Sequence, residues 1–310
     1  MKINLANIKK AKNLLNKSEC VAIPTETVYG LAGNAYSDHA CRKIFRLKKR
    51  PKNNPLIVHY YDLKKVKEDF ILNDNFLKLF KKLSPGPITF ILNLKTNSKI
   101  SKIATNKKNT LAVRFPKHPI TRSLLKKLKF PLAAPSANIS SRLSAVTSSD
   151  VKDEFGKKIK YILEGGRSNI GVESTIIDLR KKPKILRLGG LDIKTIQKIL
   201  RKKILLNINP SKISVPGQFK IHYSPGIPIR LNVKKIKKDE AYLMIKKKKL
   251  NRPNYYCLSK KGSLREAAKN LYSTLRKIKK NKYKSIAVSK IPNRGLGKTI
   301  NDRLLRASKF

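Results

Sequence analysis

The sequence predicts an α/β protein in which a twisted mixed sheet with flanking helices precedes a small parallel α/β domain. Over residues 1–205, short apolar runs alternate with stretches of helical spacing, a pattern typical of strands and covering helices. Residues 206–228 lose this periodicity and gain Pro and Gly, which predicts a linker. Residues 229–310 resume a strand–helix order that favours a parallel sheet.

The first region supplies most of the predicted elements. Its apolar runs are short and unevenly spaced, which favours a mixed sheet over a regular doubly wound array. Asp38 is a candidate N-cap, because its carboxylate can accept from the free N–H groups of the first turn. The predicted helices are residues 4–15, 38–47, 119–128 and 193–205. The predicted strands are residues 20–23, 56–60, 88–94, 111–115, 131–134, 161–163, 174–179 and 185–188.

The last region contains a long amphipathic helix, for which Ser263 is the expected cap. Its predicted strands are residues 241–245, 254–258 and 285–288, and its predicted helices are residues 264–278 and 301–307. The run from Gly295 to Thr299 looks like the end of a phosphate-binding loop. That loop needs Gly at the position of Pro292, so a turn before a helix is predicted instead.

The chain is strongly basic. Its 310 residues are 40% hydrophobic, enough for a sizeable core, and carry 73 Lys and Arg against 18 Asp and Glu, a formal net charge of +55. Such a charge attracts nucleic acid and other polyanions. Lys is also spread through every segment, which indicates a compositional bias on solvated faces. The two interpretations are compatible and leave open weak RNA binding without sequence preference.

Cysteine use and hydropathy predict a cytoplasmic protein. Cys20, Cys41 and Cys257 lie far apart and form no C-x-x-C motif, which favours a reducing compartment. Lysines at positions 9, 10 and 12 interrupt any apolar signal segment, and no apolar run reaches membrane-spanning length. No membrane partner is expected.

Polar residues cluster where predicted elements run into loops. Lys48 and Arg50 lie on a segment that Pro51 and Pro55 rigidify, and Asn54 adds an amide. Similar junctions carry Thr25, Thr27, Ser136 and Asn138. Such junctions line the ligand crevice of open α/β sheets, and basic groups with hydroxyls suit a phosphate-bearing ligand beside a small polar one. The pattern predicts an enzyme that handles ATP without a P-loop. The alternative is a solvated Lys48–Arg50 pair at a helix C-terminus.

Two further side chains stand next to apolar neighbours. His59 ends a predicted strand and is either a satisfied structural group or a ligand contact. Arg114 lies in an apolar strand, where a charge needs a partner. A substrate carboxylate would supply that partner, and so would a nearby Glu.

Longer segments combine with these residues into a specific set of motifs. They are PTETVYGLA at 24–32, K-x-R at 48–50, SPGPIT at 84–89, S-x-N at 136–138, GVESTI at 171–176, HYSP at 222–225 and NDRL at 301–304. In this combination the chain resembles the YrdC/TsaC family, the threonylcarbamoyl-AMP synthases of tRNA modification, over nearly its whole length. Lys49 stands where that family commonly has Gly, and Ile221 where it commonly has Arg.

The resemblance implies a fold and a reaction. A YrdC-like catalytic domain would span residues 1–205, a linker over the active site residues 206–228, and a small Rossmann-like C-terminal domain residues 229–310. L-threonine, bicarbonate and ATP, with Mg²⁺, would give threonylcarbamoyl-AMP and pyrophosphate for the threonylcarbamoyl modification of adenosine in tRNA. Downstream threonylcarbamoyl transferase proteins would be the partners.

The resemblance also implies site residues. The nucleotide would contact Lys48, Arg50, Asn54, Thr110, Ser136, Ser144, Arg187, His222 and Tyr223. Threonine would contact Thr25, Thr27, His59, Arg114 and Ser174. The catalytic set would be Lys48, Arg50, Ser136 and Asn138, with no protein ligand to a metal. A threonine carbamate would attack the α-phosphorus, so no protein nucleophile is needed and the protein supplies proximity, water exclusion and charge neutralisation.

Two other functions compete with this one. A non-catalytic RNA-binding module on the same fold would use the basic charge, but gives no reason for the set Thr27, His59 and Arg114. Carbamoyl transfer in metallocentre maturation usually comes with zinc fingers, which the cysteine spacing here excludes. The linker is expected to act as a mobile gate, because Pro and Gly near its ends give it hinges.

Overall fold

The computed structural model describes residues 3–210, 215–219, 221–246 and 252–309. Within these ranges the chain forms a large mixed sheet of eleven strands and a parallel sheet of four. No described helix combines the length and apolar character needed to cross a bilayer. The predicted α/β class, with a mixed sheet followed by a smaller parallel one, is confirmed.

The elements are numbered in chain order. The helices are α1 Leu5–Asn16, α2 Asp38–Lys48, α3 Leu63–Asp69, α4 Asp74–Leu83, α5 Lys102–Thr105, α6 Pro119–Lys126, α7 Ser148–Phe155, α8 Ile193–Leu200, α9 Leu264–Lys280 and α10 Leu296–Ala307. The strands of the large sheet are β1 Val21–Ile23, β2 Gly30–Asn34, β3 Ile57–His59, β4 Phe70–Ile71, β5 Ile88–Leu94, β6 Thr110–Arg114, β7 Leu132–Ala133, β8 Tyr161–Ile162, β9 Thr175–Asp178, β10 Lys184–Arg187 and β11 Leu205–Leu206. The strands of the small sheet are β12 Ile229–Arg230, β13 Glu240–Lys246, β14 Tyr255–Ser259 and β15 Ser285–Val288.

The large sheet brings distant parts of the chain side by side. Its strand order is β11-β10-β9-β5-β6-β3-β7-β2-β1-β8, with β4 added to β5. At its centre β6 runs parallel to β3 and antiparallel to β5, so that Arg114 lies opposite both His59 and Thr89. Because side chains alternate between the two faces of a strand, these three residues share one face.

The hydrophobic core lies mainly between the large sheet and its helices, with Phe76, Phe90 and Phe115 in contact at its centre. The small sheet builds a second core against α9 and α10, and this core also contains Val28 and Val172 from the first region. The two parts of the chain therefore share buried apolar surface.

The structure corrects several predicted boundaries. Ser37, and not Asp38, caps α2, because its side chain accepts from the backbone N–H of Ala40 while Asp38 lies in the first turn. The helix predicted over 193–205 ends at Leu200, where Arg201 takes the left-handed conformation, and residues 205–206 pair with β10 as a strand. The last helix begins at Leu296 and not at residue 301. The prediction omitted β2, β4, β12, α3, α4, α5 and α7.

Other predictions are confirmed. Strand 88–94 and strand 285–288 have the predicted bounds, and Ser263 caps α9 by accepting from the backbone N–H of Glu266. In the predicted linker 206–228, residues 211–214 and 220 lie outside the described residues, and no helix occurs among the others. The division into domains at 205 and 229 stays a prediction.

The backbone conformation at Lys49, in the turn after α2, is one that favours Gly. Its φ of 49° is left-handed, a conformation that costs a side-chain-bearing residue about 1 kcal/mol.

We expect Lys49→Gly to be at least as stable as the wild type, and Lys49→Val to lose about 1–2 kcal/mol in urea unfolding. Arg46→Gly, within the same helix, should cost about 1 kcal/mol as a control. A Val variant as stable as the wild type would contradict the assignment.

Candidate active site

One face of the large sheet forms the floor of the site. Ile57, Ile91 and Ala112 lie opposite one another on neighbouring strands and pack together as a small apolar patch. Further along the same face come the polar side chains of His59, Arg114 and Thr89. The face thus has an apolar middle and a polar end.

The loop after α2 forms one wall. Lys48 Nζ donates to the backbone carbonyls of Ser136 and Asn138, which ties this loop to the one after β7. Arg50 donates to the Asn54 carbonyl (2.9 Å), to its side-chain Oδ1 (2.6 Å) and to the Pro55 carbonyl (2.8 Å). Lys48 is 1% exposed and Arg50 9%, so the alternative of a solvated surface pair is wrong.

The polar end of the floor is held by charged pairs and hydroxyls. Arg114 Nη2 donates to Glu26 Oε1 at 2.7 Å and is 3.5 Å from Thr25 Oγ1. The partner of Arg114 in this structure is therefore a Glu, one of the two alternatives that the sequence left open. Across the floor, Arg187 donates to the Ser174 backbone carbonyl (2.9 Å) and hydroxyl (3.1 Å).

The linker covers the floor. Val215 is buried on the apolar patch, and the Pro216 carbonyl accepts from Arg187 at 3.2 Å. The His222 and Tyr223 rings lie 3.9 Å apart, centre to centre, and both line the cavity. Tyr223 has a φ of 63°, which is uncommon for a bulky residue and indicates local strain.

Two adjoining cavities remain beneath the linker, with volumes of about 40 Å³ and 30 Å³. Arg50, Ser136 and His222 line both of them. Several buried polar atoms around these cavities have no hydrogen-bond partner within the described residues, which is unusual for a folded protein. They are His59 Nδ1, Arg114 Nε, Asn138 Oδ1, Ser140 Oγ, His222 Nδ1 and the Tyr223 hydroxyl. Such a set is typical of groups that a ligand satisfies.

Burial sets the protonation of the site. It lowers the pKa of Lys48 well below its usual range, and the nearby Arg50 adds to this effect. Burial, with Arg187 nearby, lowers the pKa of Arg50 to about 9. It also lowers the pKa of His222 to about 3 and that of His59 well below 6.5, so both imidazoles are neutral at pH 7. The site is a desolvated, cationic cavity suited to an anionic ligand.

The structure gathers most of the predicted site residues. Those that line the two cavities are Thr25, Lys48, Arg50, Asn54, His59, Arg114, Ser136, Asn138, Ser174, Arg187, His222 and Tyr223. Thr27 lies behind this lining, with its hydroxyl 2.8 Å from that of Thr25. Ser144 is buried and donates to Glu173. Thr110 begins β6, on the same face as Arg114 but at the opposite end of the strand.

Sequence reasoning did not assign Glu26 and Glu173. Glu173 lines the cavity immediately before Ser174, and both carboxylates receive buried Arg side chains, from Arg114 and Arg303 respectively. Both lie inside motifs of the sequence analysis, at 24–32 and 171–176. An acidic residue within an apolar motif, in a chain with only 18 Asp and Glu, is the signal that could have identified them.

Comparison with known proteins gives consistent matches. A sequence family described as telomere recombination, Sua5/YciO/YrdC, matches residues 13–189, and one described as the C-terminal domain of threonylcarbamoyl-AMP synthase matches residues 191–309. Proteins named threonylcarbamoyl-AMP synthase from Pyrococcus abyssi and Bacillus subtilis are each 32% identical, over 98% of this chain and 94% of their own. The crystal structure of P. abyssi Sua5 complexed with L-threonine superposes with a TM-score of 0.91, at 30% identity, over 100% of this chain and 96% of its own.

The charge of Glu173 should make stability depend on pH. Burial alone would raise its pKa, but the Arg303 and Arg187 guanidiniums outweigh burial and bring it to about 2 from 4.5. The ionised Glu173 carboxylate therefore adds roughly 3 kcal/mol to the free energy of unfolding. This contribution is complete above about pH 4.5 and is lost as the pH falls towards 2. In urea unfolding from pH 7 to pH 2, Glu173→Gln should lose this component of the acid dependence. Parallel pH profiles for the two proteins would contradict it.

Proposed function

The chain belongs to the Sua5/YrdC family of threonylcarbamoyl-AMP synthases, and from that premise we propose that its covered cavity makes threonylcarbamoyl-AMP. The reaction joins L-threonine, bicarbonate and ATP, and releases pyrophosphate and water. The observation that carries the proposal is the set of buried polar atoms around a cationic cavity that have no hydrogen-bond partner among the described residues. These atoms need a ligand that is both charged and rich in hydrogen-bonding groups.

Threonine would lie at the polar end of the floor. Its carboxylate suits Arg114, whose Nε has no partner within the described residues, and its hydroxyl suits the hydroxyls of Thr25 and Ser174. The neutral imidazole of His59 lies opposite Arg114 and offers a free Nδ1. The amine would carry the carboxyl group derived from bicarbonate as a carbamate.

The nucleotide would extend from this point along the floor. The patch of Ile57, Ile91 and Ala112 offers an apolar surface for a flat base, with Thr110 at the far end of the same face. The triphosphate suits Lys48 and Arg50, which are buried and donate to carbonyl and amide oxygens.

The chemical step would need positioning more than protein nucleophiles. A carbamate oxygen attacks the α-phosphorus, the bond from that phosphorus to the bridging oxygen breaks, and pyrophosphate leaves with the bonding electrons. Arg50 would neutralise the charge that develops on the phosphates, and Lys48 holds the Ser136 and Asn138 backbone in place beside them. Desolvation strengthens each of these interactions.

A Mg²⁺ ion fits this site as a companion of the triphosphate. The described residues contain no group of three or more His, Cys, Asp or Glu side chains arranged for a metal. Mg²⁺ commonly binds through substrate phosphates and a few oxygen atoms, and the Ser136 and Ser140 hydroxyls and Asn138 Oδ1 are oxygen donors at the phosphate wall. When bound, the ion would neutralise phosphate charge.

The linker would have to move during each turnover. Sites for small ligands typically measure about 300–1,000 Å³, whereas the cavity beneath the linker is about 40 Å³. ATP therefore cannot be accommodated without displacement of residues 215–219 and 221–223. The closed arrangement would then shield threonylcarbamoyl-AMP, a mixed anhydride, from water.

Pyrophosphate release tests the proposed reaction directly. The purified protein with ATP and Mg²⁺ should release pyrophosphate only when threonine and bicarbonate are both present, because the carbamate is the attacking group. Omitting each component in turn provides the controls. Equal release without threonine would show that a different reaction takes place.

Removing either cation should slow the reaction. For Lys48→Ala and Arg50→Ala we expect kcat/KM to fall roughly ten- to a hundred-fold, since a lost charge-assisted contact costs about 1.5–3 kcal/mol. Lys52→Ala is the matched control, because Lys52 is exposed on the same loop. Circular dichroism would verify folding. Wild-type rates in both cavity variants would refute their placement at the phosphates.

A further inference from the structure

Arg303 connects the small sheet's domain to the active site. It lies on α10, is 1% exposed, and donates from Nε to Glu173 Oε2 at 2.9 Å and from Nη2 to the Leu188 carbonyl at 2.6 Å. Its guanidinium carbon also lies 4.6 Å from the centre of the Tyr223 ring. One buried cation thus contacts the linker and the segments next to strands β9 and β10 of the large sheet.

Glu173 is the point at which these contacts reach the ligand cavity. It lines the cavity and directly precedes Ser174. Besides Arg303, it accepts from the Tyr272 hydroxyl at 3.0 Å and from Ser144. Tyr272 lies on α9 and stacks on Tyr223, with ring centres 5.9 Å apart. The carboxylate therefore joins α9 and α10 to the backbone that carries Ser174.

The next turn of α10 holds the linker itself. Arg306 donates to the Phe219 carbonyl at 2.9 Å, and to the Ile208 carbonyl and the Asn209 side chain at 2.9 and 2.8 Å. Ile208 and Asn209 precede the segment that covers the floor, and Phe219 lies within it. The linker is thus fastened to α10, and Tyr223 is one of the linker residues that line the cavity.

We propose that Arg303 is a positioning residue, through which the C-terminal domain sets both the Glu173–Ser174 backbone and the closed position of Tyr223. The proposal rests on the proposed synthase function. Its physical basis is that the buried Glu173 carboxylate needs a cation. Arg303, which also pairs with Asp302 on its own helix, supplies that cation from α10, so the docked domain fixes Glu173 in one place. The cation–π contact with Tyr223 then favours the closed linker by direct attraction.

Substitutions at Arg303 test the role. Arg303→Lys keeps the charge but loses the planar fork that reaches Glu173, Leu188 and Tyr223 together. We expect kcat/KM for threonine to fall at least tenfold, mostly through KM. Arg230→Lys is the control, because Arg230 pairs with Glu240 in the same domain at 2.6 Å and lines neither cavity. It should leave kcat and KM unchanged.

A paired variant separates positioning from stability. Arg303→Met alone would leave Glu173 charged and uncompensated, so this variant is combined with Glu173→Gln, which can still bond Ser144 and Tyr272. The double variant should recover the Tm lost by Arg303→Met but should not recover the KM for threonine. Recovery of KM together with Tm would overturn the proposal, because the role would then be structural only.

A linker reporter makes the result independent of turnover. The chain has no Trp, so Phe219→Trp introduces a single fluorophore at the linker. Arg303→Lys in this background should shift the emission of the ligand-free protein to the red, as expected for a more open linker. If the wild type releases no pyrophosphate but this shift occurs, the synthase function fails while the positioning role stands. Emission and threonine KM both equal to the wild type would refute the positioning role.

Discussion

The arrangement of the site follows from the burial of several cations around one pair of cavities. Lys48, Arg50, Arg114 and Arg187 are each at most 9% exposed, and moving such charges out of water is costly unless they are paired. Glu26 compensates Arg114 directly, whereas the other three donate mainly to backbone carbonyls. The protein thus solvates these cations with dipoles more than it neutralises them, and under the proposed function an anionic ligand would complete the compensation.

Carbonyl dipoles can play this role only where loops are held rigidly in place. Lys48 holds the loop after β7 in place, because its one ammonium group bridges the Ser136 and Asn138 carbonyls. Arg50 does the same within its own loop through the Asn54 and Pro55 carbonyls. The cations therefore organise the walls of the cavities. Under the proposed function, these walls, unlike the linker, would need little rearrangement when phosphate charge arrives.

Local sequence predicted those parts of the molecule that depend on local physics. The apolar run 88–94 predicted a strand with the observed bounds, and Ser263 was predicted correctly as the cap of α9. Burial patterns and capping depend on only a few neighbouring residues. Most of the site residues predicted from the motifs line the two adjoining cavities. The partner of Arg303, Glu173, could not be found in this way, since it lies 130 residues away in the segment before β9. Residues 205–206 were missed for the same reason, because only their pairing with β10 makes them a strand.

The strain at Tyr223 is consistent with a linker that closes without locking. A bulky residue at φ 63° costs about 1–3 kcal/mol and persists only where its surroundings hold it. Here the Arg303 guanidinium and the Tyr272 ring supply that support from one side. If the backbone of the closed linker were unstrained, product release would have to break every contact of the linker with no free energy regained in return. Under the proposed function, release of backbone strain would offset part of that cost, so that a cavity tight enough to exclude water could still open in each catalytic cycle.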